Sequence, residues 1–139
     1  MNKINRMVIF AFAFLFASVS LMAQGSKKET KSTADKSFTG YVVDKMCGTG
    51  MAKKDMKTAM ERARKHTKEC ALEDDCAASG YGLMMDGKFV KFDEKGDKLA
   101  AEFFNKSKKK NDFLADVNGT MKGDMINVAS IADAKSEKK

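Results

Sequence analysis

The feature that most constrains the fold is a tight-turn signal set between two β-rich runs. Gly80-Tyr-Gly-Leu-Met-Met85 and Lys88-Phe-Val-Lys-Phe-Asp93 flank Asp86-Gly87. A two-residue Asp-Gly connection favours a hairpin because both turn residues tolerate positive φ. A second pair of runs, Asp112 to Thr120 and Asp124 to Ile131, lies around Lys122-Gly123, and Phe113, Ala115 and Val117 alternate with polar residues as in a half-buried strand. Between the two hairpins, Leu99, Ala100, Phe103 and Phe104 recur at helical spacing after Asp97, which is read as the N-cap. The lysine-rich stretch Lys106 to Lys110 suits the helix C-terminus. A further β-branched and aromatic run, Phe38 to Asp44, comes first.

The order is therefore strand, long insertion, hairpin, helix, hairpin. Setting the insertion aside, three strands, a helix and two strands match a five-stranded oligonucleotide/oligosaccharide-binding (OB-like) barrel, mostly β with helices. A small α+β sandwich is the alternative, and the absence of proline fits either.

The ends bound the domain. Lys3 and Arg6 precede an apolar run from Met7 to Ser18, and Leu21-Met22-Ala23 gives a small-residue exit. This is the grammar of a cleaved signal peptide over residues 1–23, since the unbroken apolar run is shorter than the ~20 residues a spanning helix needs. Residues 24–36 and 133–139 are polar and without periodicity, and are read as a disordered linker and tail. Residues 37–132 form the domain, with residues 46–79 as its insertion. Cleavage leaves 24 basic against 19 acidic residues, a net +5. The expected location is periplasmic or secreted, after cleavage no transmembrane segment remains, and the expected partner is an anionic component of the envelope. Phe103, Phe104 and Phe113 beside the lysines resemble a nucleic-acid patch, but they occupy core-facing positions, and export separates the chain from nucleic acid.

All three cysteines and the single histidine fall in the insertion: Cys47, His66, Cys70 and Cys76. Lys53 to Lys68 reads as one helix, which, if it persists, sets His66 and Cys70 one turn apart on a single side. Three cysteines and a histidine are a recognised tetrahedral zinc complement, although the five residues between Cys70 and Cys76 are wider than a zinc knuckle. Copper(I) is the second metal reading, because Met46, Met51, Met56 and Met60 surround Cys47 and thioethers suit that soft ion. Met46 and Met51 lie outside the helical periodicity that would make the others core-fillers.

A disulfide is the competing reading. Cys47 lies just after the first strand and Cys76 just before the second, so antiparallel pairing brings them together at the neck of the insertion. Closing a loop of about thirty residues stabilises by roughly 3–4 kcal/mol in the chain-entropy model. Cys70 is then an odd thiol beside His66, to be accounted for as a reactive group, a metal ligand or an intermolecular bridge.

Gly40-Tyr-Val-Val-Asp44, Cys47-Gly48, His66, Cys70, Cys76-Ala-Ala-Ser-Gly-Tyr81, Asp86-Gly-Lys88, Asn118-Gly-Thr120 and Gly123-Asp124 together carry a resemblance. The chain resembles small signal-peptide-bearing bacterial proteins of uncharacterised function whose exported domains look OB-like, over residues 38–131. That resemblance implies a fold and export, and no reaction. No Ser-His-Asp pattern, phosphate-binding glycine loop, calcium loop or C-x-x-C is present. The expectation is a non-enzymatic binding or structural module held by a Cys47–Cys76 bond, with no catalytic residue and no cofactor. The alternative is a zinc or copper protein using Cys47, His66, Cys70 and Cys76.

Overall fold

β1 (Lys36–Asp44) and the hairpin of β2 (Tyr81–Met85) and β3 (Lys88–Phe92) are joined through four short helices: α1 (Lys45–Met51), α2 (Met56–Lys65), α3 (Lys68–Ala71) and α4 (Asp74–Ala78). α5 (Glu94–Lys106) follows, and then β4 (Leu114–Lys122) and β5 (Met125–Asp133). The computed structural model describes residues 35–134. The expected signal peptide, most of the linker and most of the tail lie outside them. No helix among the described residues is long and apolar enough to cross a membrane.

The result is a mixed α and β molecule whose five-stranded sheet closes into a ring. The strands run in the order β1-β2-β3-β5-β4, and β1 pairs with β2 on one side and with β4 on the other. All pairings are antiparallel except the short β3–β5 contact, where Lys91 and Phe92 meet Met125 and Ile126. Asp86 and Gly87 take positive φ (50° and 74°), which is the conformation the hairpin required of them.

The inside of the ring is apolar. Val42, Leu83, Phe92, Ala115, Val117, Ile126 and Val128 meet Ala100 and Phe104 of α5, with Phe113 against Phe104 edge to face at 4.7 Å. Such aromatic pairs add about 0.5–1.5 kcal/mol beyond their burial. The expected Phe113, Ala115 and Val117 alternation points inward as read.

β1 and β2 are buried on both faces. Successive strand residues point to opposite sides, yet Val42 and Val43 are both fully buried, as are Leu83 and Met84. Val43 and Met84 face outward and pack with Met51, Ala59 and Ala63, so α1 and α2 cover that side of the sheet as a second core. Gly48 allows the close approach, since a Cβ there would sit 2.4 Å from Phe89 of β3.

β1 begins and β5 ends one residue outside the expected 37–132, at Lys36 and Asp133, and two helix boundaries also differ from the sequence reading. α5 starts earlier, capped by Asp93, whose Oδ1 accepts the N–H groups of Gly96 and Val128 at 3.0 Å. That double tie to helix and strand outcompetes Asp97, which instead accepts the Tyr81 N–H at 2.7 Å. The expected helix over 53–68 is broken: Asp55 caps α2, and His66 leaves helical geometry at ψ 129°. Thr67 then starts α3 as a new N-cap, which interrupts the line from His66 to Cys70.

Candidate metal centre

Each cysteine occupies the third position of its own short helix, three residues after that helix's cap. The pairs are Asp44 with Cys47, Thr67 with Cys70 and Glu73 with Cys76. Asp44 Oδ1 accepts the Cys47 N–H at 2.8 Å, and Thr67 Oγ1 accepts the Cys70 N–H at 3.2 Å. Glu73 caps without a side-chain bond. A capped first turn fixes the direction of the side chain three residues on. Three such turns bring three thiols to one point.

Other ties hold the helices in register. Ser79 Oγ accepts the Met46 N–H at 3.2 Å and donates to the Cys76 carbonyl at 2.7 Å, linking α1 to α4. Tyr81 donates its buried hydroxyl to the Ala71 carbonyl at 2.9 Å, anchoring α3 to β2. Lys68 Nζ donates to the Ser107 carbonyl at 2.9 Å and fastens α3 to the chain leaving α5.

The outcome is a compact donor set. One ligand atom from each of Asp44, Cys47, Cys70 and Cys76 lies within 4.8 Å of every other. Asp44 is fully buried, Cys76 is buried, and Cys47 and Cys70 are half-buried. The three thiols are unbonded, and Cys47 Sγ lies 3.8 Å from Cys70 Sγ. A disulfide requires about 2.05 Å between sulfurs. Two thiolates on one tetrahedral zinc, each about 2.3 Å from the metal, stand about 3.8 Å apart.

His66 is placed differently from the sequence reading. Its Nε2 is 2.9 Å from Asp44 Oδ2, with both side chains buried, but the pair is not aligned as a hydrogen bond. Nδ1 has no partner among the described residues. The structure thus gathers Cys47, Cys70 and Cys76 from the expected ligand set, substitutes Asp44 for His66, and stands His66 behind that carboxylate. Because α2 ends at Lys65, the His66 ring turns toward the end of β1 instead of toward Cys70. Cys70, expected to be set apart beside His66, is a full member of the sulfur cluster.

Asp44 was missed in the sequence. Its signal was an acidic residue closing a buried Val42-Val43 strand three positions before a cysteine, with a cap residue repeated at that distance before Cys70.

The electrostatics of the cluster oppose ionisation of its thiols. Burial pushes the Cys47 thiol far above the ordinary range, and the charge of Asp44 and the neighbouring Cys70 add to it. Burial, then Asp44 and Cys70, raise Cys76 to about 11. Burial alone would raise Asp44 as well, but its contact with His66 and the Cys47 N–H outweigh it and hold the carboxyl below its usual value. A metal ion inverts this logic by stabilising every anionic donor at once. Protonated, buried thiols are poor nucleophiles.

Cys47 also borders a pocket of about 430 Å³ between α1 and α2, lined by Met46, Gly50, Met51, Arg62 and Lys65. No family model, no curated protein and no solved structure matches this chain.

Proposed function

We propose that this chain is an exported, non-enzymatic binder of a soft transition metal, zinc or copper, with Cys47, Cys70 and Cys76 as sulfur ligands and Asp44 as the fourth donor. His66 orients that carboxylate, as outer-shell partners of metal ligands commonly do. The observation that carries the reading is the mutual approach of the four donors within 4.8 Å around a fully buried carboxylate backed by His66 at 2.9 Å.

The scaffold we propose is the OB-like barrel expected from the sequence. The ring order β1-β2-β3-β5-β4, with α5 between β3 and β4, supports it. In that fold the loop joining the first two strands is one of the ligand-binding loops. Here that connection is the insertion itself, carrying all three cysteines. Export is inferred from residues 1–23 and from the resemblance to small bacterial exported proteins. An anionic envelope component is the partner suggested by the net charge.

A disulfide-held structural module is the second reading; the 3.8 Å sulfur contact is between Cys47 and Cys70, so it favours a bond of that pair over the expected Cys47–Cys76 bond. Native mass spectrometry of the purified chain, before and after a chelator, separates the two. The metal reading expects a stoichiometric adduct that a chelator removes and that Cys70→Ser weakens. An intact mass two hydrogens light, with no metal, overturns it and supports the disulfide, with peptide mapping deciding whether Cys47 is joined to Cys76.

A further inference from the structure

We infer that the ion held at this centre is cuprous, and that it enters and leaves through the pocket between α1 and α2, with the thioether of Met46 as a ligand on the way. The inference rests on the reading of the three cysteines as metal ligands. It adds the identity of the ion and its route.

Cys47 belongs to both structures: its sulfur is part of the donor cluster, and its side chain lines the pocket. An ion in the pocket is therefore next to the first sulfur of the centre. Two methionines flank that sulfur in the chain and share the pocket wall with it. Thioether sulfur selects copper(I) among the common soft ions, whereas zinc sites are built from thiolate, imidazole and carboxylate.

The two methionines differ in what else they do. Met51 packs into the second core with Val43, Ala59, Ala63 and Met84, so filling space accounts for its presence. Met46 is 54% exposed and joins neither core cluster. Its backbone is nonetheless held in place by the bond from its N–H to Ser79 Oγ. A long apolar side chain kept in solvent beside a metal-ligating sulfur is what a transient soft ligand requires.

The charges at the rim point the same way. Arg62 and Lys65 are exposed, and neither forms an ion pair among the described residues. Two positive charges oppose the approach of a hydrated divalent ion and attract an anionic carrier. Copper(I) held between thiolates or by a sulfonated chelator is such a carrier. Exchange is then a series of ligand substitutions at constant oxidation state. A bond from copper to the carrier breaks as one to Met46 Sδ forms; next the Cys47 thiol releases its proton to water and its sulfur replaces a further carrier ligand.

The test uses reduced protein loaded with copper(I), with transfer to the anionic chelator bathocuproine disulfonate followed by stopped-flow absorbance. Met46→Leu conserves volume at an exposed position and should slow transfer about tenfold, the order seen when a supporting metal contact is lost. Its zinc affinity and melting temperature should match wild type. Replacing Arg62 and Lys65 together by Glu should slow transfer to the same anionic chelator. Unchanged transfer in Met46→Leu overturns the route. Wild-type protein that binds zinc stoichiometrically but not copper(I) overturns the choice of ion and leaves the metal centre standing. Protein that binds neither overturns the centre itself.

Discussion

Asp44 does two separable jobs, and a pair of substitutions pulls them apart. One carboxylate oxygen caps α1 through the Cys47 N–H at 2.8 Å, and the other faces the His66 Nε2 at 2.9 Å and joins the donor cluster. Asp44→Asn keeps an oxygen for the cap, since asparagine and aspartate cap about equally well. It removes the charge. In metal-free protein the loss of the carboxylate that faces His66 should cost about 1–3 kcal/mol. Asp44→Ala loses the cap too, adding about 1 kcal/mol. For a domain of this size each kcal/mol lowers the melting temperature by roughly 4–8 °C. Urea titrations in the presence of a chelator read both steps. The function of the second oxygen is read by metal competition, where both variants should lose about 10–100-fold in affinity. An Asn variant as stable as wild type refutes the reasoning about the His66 contact. An Asn variant with unchanged metal affinity refutes Asp44 as a donor.

Other expectations follow from the same geometry. Met84→Ala opens the second core between the sheet and the insertion and should cost about 2–5 kcal/mol in urea unfolding, with its metal affinity reduced because α1 loses its seat. Gly48→Ala places a Cβ 2.4 Å from the Phe89 ring, so it should destabilise by about 1–3 kcal/mol and weaken metal binding, both measurable by calorimetry. Since the folded Cys76 thiol is raised to about 11 from a usual 9.0, the folded metal-free protein holds more protons than the unfolded chain between those values. Its stability should therefore fall as pH rises through that window, and Cys76→Ser should flatten the slope. Metal affinity should run the opposite way, rising with pH across the neutral range as binding displaces thiol protons, and a competition titration showing no pH dependence would exclude the thiols as ligands.

Much of the scaffold was legible in local signals. The Asp86-Gly87 turn, the inward alternation of Phe113, Ala115 and Val117, and the helix carrying Phe103 and Phe104 each depend on neighbours a few residues apart. Such signals survive without knowledge of the rest of the molecule. The N-cap of α5 was misplaced because Asp93 and Asp97 are both acceptable locally, and the choice depends on Val128, thirty-five residues away, which also bonds to Asp93. The helix over 53–68 was drawn too long for a similar reason: Thr67 is a weak signal in the sequence, and becomes decisive once it caps the turn that holds Cys70.

For the centre, the sequence alone determined which thiols exist and that all three lie in one insertion between two strands. Spacing could not say which groups meet, because a side chain's direction at the end of a short helix depends on the cap and on what the helix packs against. Tertiary structure decided that Cys70 joins Cys47 and Cys76, that Asp44 stands among them, and that His66 backs the carboxylate. Asp44 could reach that role only because the insertion folds back over β1 and β2, removing the strand's end from water. Burial there turns a cap residue that any helix could use into a carboxylate set among three thiols.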